Sequence, residues 1–105
     1  MSIVNNIESQ LKGSTRPIVK VLMKNNLTRC IAIGLAENVE LSDHKSPAPA
    51  QLLILKGSIN YQSQSADVIL NALDEFEIPQ EEVHRVIAKE DSIFLLIINH
   101  ERPGA

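Results

Sequence analysis

The fold turns on one stretch, Asp67-Val68-Ile69-Leu70-Asn71-Ala72-Leu73-Asp74-Glu75-Phe76-Glu77-Ile78-Pro79-Gln80-Glu81-Glu82. Two periods compete in it. Val68, Leu70, Leu73 and Phe76 can be set on one broad helical stripe. The same stretch also divides into two short strands: Val68 and Leu70 share a face, Asn71 to Asp74 turns, and Phe76 and Ile78 share the next face. Pro79 stops the second piece, and Gln80-Glu81-Glu82 turns again. Strands are the better reading, because the pieces have strand length and are bounded by β-branched residues and a proline.

The flanking sequence repeats this pattern. Downstream, Val83 to Ala88 begins the penultimate strand and Ser92 to Asn99 (SIFLLIIN) closes the domain. Upstream, Gln51 to Lys56 is apolar enough to be covered on both faces. Gly57 then marks a tight turn or bulge at φ > 0, before Ser58 to Gln62, where Ile59 and Tyr61 share a face. Asp43 to Ala50 (DHKSPAPA) carries two prolines and reads as an irregular connection. Strands are expected at Ile18 to Leu22, after Pro17, at Thr28 to Leu35 after the Asn25-Asn26 turn, and at Glu37 to Leu41. Asn6 to Leu11 offers only a weak turn of helix, ended by Gly13-Ser14. The expectation is one all-β domain over 1–105, with 1–15 as an N-terminal arm and 100–105 as a flexible tail. Many short strands of this kind make a sandwich or barrel.

Composition narrows the function. A chain of 105 residues can bury a core without disulfides or a structural metal. Ten basic against thirteen acidic side chains, with no Lys/Arg cluster, leave no footprint for a phosphate backbone, so nucleic acid is not an expected partner. No apolar run approaches the ~18 residues a membrane span requires. The start MSIVNNIESQLKGS has no basic segment followed by a long apolar one, so no secretory signal is read and a cytoplasmic setting is the default. The lone Cys30, within Cys30-Ile31-Ala32-Ile33, reads as a buried small hydrophobe. No basic neighbour or helix start is at hand to activate it as a nucleophile toward a histidine.

Two spacings carry a family resemblance. Gly57 follows His44 by thirteen residues, and His84 follows Pro79 by five. With the β pattern around them, these positions resemble the paired motifs of the small single-domain cupins, RmlC-like jelly-roll barrels also described as double-stranded β-helices. The match runs from Leu41 through Ile98 and extends in kind to the whole chain. It departs from the family at chemically important positions. Ser46 stands where a second histidine would be, and Ala50 lies about where the metal-binding glutamate would be. Leu73 and Glu81 replace two glycines of the second motif, and Ala88 its asparagine.

What the resemblance implies is a barrel whose interior receives His44 and His84 as the candidate metal ligands, with a divalent metal as the candidate cofactor. Two imidazoles hold such an ion poorly unless Gln51, Asp43 or Glu82 joins them. Three readings of function stay open. The first is a non-catalytic small-molecule-binding or accessory domain, working as a homodimer through the first two strands, Ile18 to Leu22 and Ile31 to Leu35. The second is a metal-dependent enzyme of dioxygenase or isomerase type. The third is a structural or interaction module whose barrel is filled by Ile, Leu and Val. His100 is expected on the surface of the tail.

Overall fold

The computed structural model describes residues 2–46 and 48–100. A helix, α1 (Ile3–Leu11), precedes nine strands: β1 (Ile18–Lys24), β2 (Thr28–Leu35), β3 (Glu40–His44), β4 (Ala50–Lys56), β5 (Ser58–Ser63), β6 (Asp67–Asn71), β7 (Glu75–Ile78), β8 (His84–Ala88) and β9 (Ser92–Asn99). They form a five-stranded sheet in the order β1-β2-β9-β4-β7 and a four-stranded sheet in the order β3-β8-β5-β6. Every pairing is antiparallel. The stretch 67–82 is therefore two strands and a turn, and the all-β jelly-roll expectation holds.

Alternation along each strand sends one set of side chains between the sheets. A row of direct cross-strand partners, Val21, Ile31, Leu96, Leu52 and Phe76, runs across the whole five-stranded sheet. Opposite it, Leu41, Val86, Tyr61 and Val68 make a row of the other sheet. Leu52, Ile54, Ile59, Tyr61, Val86 and Phe94 are almost wholly buried there. Two expectations are corrected at this level. β4 is buried on one face only, since Gln51 is exposed and Leu53 and Leu55 are half-covered. Cys30 is half-buried rather than buried, on the outer side of β2.

The N-terminal residues form more than a weak turn. Ser2 caps α1, its Oγ accepting the Asn5 amide at 3.0 Å. Ile7 and Leu11 are buried against Ala32, Ala36 and Ile93 on the outer face of the five-stranded sheet. Gly34 makes this fit possible: a Cβ there would lie 2.4 Å from Ile7 Cγ2. A nine-residue helix is unstable alone, so this docking holds it. The tail beyond His100 lies outside the described residues. Among the described residues no helix is long and apolar enough to cross a membrane.

Leu73 and Glu81, the two positions where the family resemblance places glycines, both take left-handed backbone, φ +75° and +64°. Leu73 sits in the β6–β7 turn, 78% exposed, so its side chain gains little from burial. Relief of the left-handed penalty, ~1–2 kcal/mol, exceeds the entropy that glycine loses, ~0.5–1 kcal/mol. Leu73→Gly is therefore expected to stabilise the protein by about 0.5–1 kcal/mol in urea denaturation; a loss of stability would mean that the leucine side chain is packed to advantage.

Candidate functional site

β3 and β8 bring the two candidate histidines together. His44 and His84 are direct partners across that ladder, with ring centroids 6.4 Å apart. His44 was expected in an irregular connection, but it is the last residue of β3. A register shift between Leu41 and His44, with Asp43 at φ +34°, extends the pairing far enough to reach it. Aspartate is among the few non-glycine residues that enter left-handed backbone, which is the one local signal for this bulge.

Both imidazoles line one cavity of about 280 Å³ between the sheets. Its walls are Ile31 and Ile33 of β2 and Leu96 and Ile98 of β9, closed by Ile78 at the end of β7. Val19 of β1 and Leu41 of β3 complete the apolar lining. Lys45 and Ser46 stand beside the histidines at the same end. Beyond this hollow the interior is filled by Leu52, Ile54, Ile59, Tyr61, Val86 and Phe94. Sequence reasoning missed Lys45 and did not assign Ser46 to a pocket, because their placement follows from the bulge.

His84 is the buried member of the pair, stacked on Tyr61 at 5.3 Å, and Tyr61 in turn contacts Phe76 at 4.6 Å. A protonated Nδ1 donates weakly to the Glu82 carbonyl oxygen at 3.4 Å. The Tyr61 hydroxyl is buried with no hydrogen-bond partner among the described residues; Ser63 lies near it but outside bonding geometry. Burial holds the Tyr61 hydroxyl above its ordinary value, and the charge of Glu82 adds to that.

Burial also pushes the His84 imidazole below its ordinary value, and the charge of His44 acts the same way, while Glu82 opposes both. An imidazole depressed in the folded state is protonated more readily in the unfolded chain, which binds more protons as pH falls. The corresponding stability is present above the unfolded value, near 6.5, and is lost as pH falls through the folded one. The melting temperature is expected to drop between about pH 7.5 and about pH 5.5, and His84→Gln to flatten that drop. An unchanged slope in His84→Gln would place the acid sensitivity elsewhere.

The donor set does not suit a divalent metal. Gln51 lies in a separate depression with Pro49, Glu77 and Asn99. Asp43 faces Arg85, 3.5 Å from its Nη2, and does not line the cavity. Glu82 accepts from Ser65 Oγ at 2.6 Å and does not line the cavity. Among the described residues no group of three or more His, Cys, Asp or Glu side chains is placed to hold an ion. Two imidazoles alone leave a first-row ion with too few donors. Cys30 is not part of the cavity wall, and burial raises its thiol above the ordinary value, against the thiolate that nucleophilic chemistry needs.

Two antiparallel sheets face each other, with a site opening at one end of the interior. No family model matches the sequence, and no curated protein does. Among solved structures, a cupin superfamily protein from Desulfitobacterium hafniense is similar with a TM-score of 0.76 at 16% identity, over 81% of this chain and 78% of that one. A cupin-like protein from Thermotoga maritima is similar at 0.74 and 22% identity, over 85% and 72%. A conserved protein of unknown function from Streptococcus pyogenes is similar at 0.77 and 18%, over 85% and 78%. At such identities the likeness establishes the fold, which is that of the RmlC-like cupins.

Proposed function

We propose that this barrel is a non-catalytic binding domain that holds a small, largely apolar molecule in the cavity between His44 and Leu96. One observation supports the reading above others: a mostly apolar interior hollow with its polar side chains gathered at one end. That is the usual build of a small-molecule site, in which apolar walls supply affinity and a few polar groups fix orientation. Its volume, about 280 Å³, sits at the lower edge of the usual range, so the ligand is small. The test is titration with octanamide, a neutral apolar probe, followed by NMR. Binding is expected with a Kd on the order of 0.1–1 mM, with shifts confined to cavity residues. No shift at Ile31, Ile33, Leu96 or Ile98 up to the solubility of the probe would refute it.

The same reading includes pairing of two copies through β1. This strand is an unpaired edge of the five-stranded sheet, and β2, enclosed between β1 and β9, has no free edge to offer. Val19 and Val21 are 52% and 53% exposed, and Leu22, Met23 and Leu27 are exposed beside them. Val19 also borders the cavity, so a second copy would help to close it. Light scattering at micromolar concentration is expected to give twice the chain mass; a monomer would remove this part.

A further inference from the structure

We infer that the molecule held in this cavity carries one negative charge on an apolar body, a small aliphatic or aromatic carboxylate being the simplest case; the inference rests on the binding reading above. The polar side chains of the lining are His44, Lys45, Ser46 and His84. Ser46 already gives its hydroxyl proton to the Ala48 carbonyl. Lys45 is a cation and His44 can present a ring N–H, whereas neutral His84, its Nδ1–H turned to the Glu82 carbonyl, presents an acceptor at Nε2. In a chain with thirteen acidic and ten basic residues, no acidic side chain among the described residues lines the cavity.

The nearby carboxylates are engaged elsewhere. Asp43 faces Arg85, and Glu82 is bound by Ser65. The two donors, His44 and Lys45, stand at the β3–β8 end, while Ile33 and Leu96 line the walls with nothing polar. A head group at the donors with a hydrocarbon body along those walls satisfies both. A sugar or zwitterion would bury polar groups against walls that cannot bond them, which costs ~1–3 kcal/mol for each group.

The test compares octanoate with octanamide, which share a chain and differ in charge, by calorimetric titration at about pH 7. Octanoate is expected to bind about tenfold more tightly than octanamide. Lys45→Met, at an exposed position, is expected to bring octanoate to within about twofold of octanamide. Equal affinities in the wild type, or an octanoate advantage that survives in Lys45→Met, would overturn the charge assignment and leave the cavity reading standing. Failure of both probes to bind would overturn the cavity reading itself.

Discussion

Gly57→Ala is expected to destabilise the protein by about 2–5 kcal/mol, enough to lower its melting temperature by roughly 10 °C or more. Gly57 has φ +85°, and a Cβ built there would lie 2.3 Å from Ser92 Oγ, 2.4 Å from the Asp91 carbonyl oxygen and 2.8 Å from Ser92 Cα. Two of these three atoms are backbone and cannot swing aside. Ser92 Oγ is itself committed: it accepts the Ser58 amide at 2.9 Å and lies within bonding distance of the Glu90 and Ser58 carbonyls, one of which takes its proton. The alanine therefore meets left-handed strain and a closed wall together, at the crossing from β4 in one sheet to β5 in the other. Thermal unfolding followed by circular dichroism is the check. A loss below about 1 kcal/mol would mean that the turn relaxes and that this corner does not anchor the barrel.

Leu96→Trp is expected to remove octanamide binding, with at least a tenfold rise in Kd, while changing folding stability by less than about 1.5 kcal/mol. Enlarging a core side chain normally costs ~1–3 kcal/mol because no space exists for it. Here Leu96 is only partly buried and faces the 280 Å³ hollow, so the indole has room and takes the place of the ligand. Calorimetry measures the affinity and urea denaturation the stability. Retained binding would place the probe outside the cavity, and a large destabilisation would mean that the hollow is closed in solution.

The strands were legible because their side-chain alternation is local. The chain Gln51 to Gln62, two apolar runs about a glycine, yields β4, a left-handed Gly57 and β5 from neighbouring residues alone. The meeting of His44 and His84 was legible through the resemblance to a family, not through spacing physics. α1 was underread because its stability resides in Gly34 and the small side chains beneath it, which lie more than twenty residues away in the chain. Glu37 to Val39 was read as strand, yet Asn38 turns at φ +69° and β3 begins at Glu40. An asparagine is among the few non-glycine residues that enter that conformation readily, so a local signal was present there. Lys45 was invisible as a cavity residue, since only the displaced register at Asp43 sets its place beside the histidines.

Two imidazoles and four aliphatic side chains around one hollow form the proposed binding site. Intermolecular NOEs to bound octanoate test it most directly. Cross-peaks are expected from its chain to the methyl groups of Ile33 and Leu96, and from the methylene beside its carboxylate to the ring protons of His44 and His84. Contacts instead to Leu53, Leu55 or α1 on the outer face, or to only one of the two imidazoles, would contradict it.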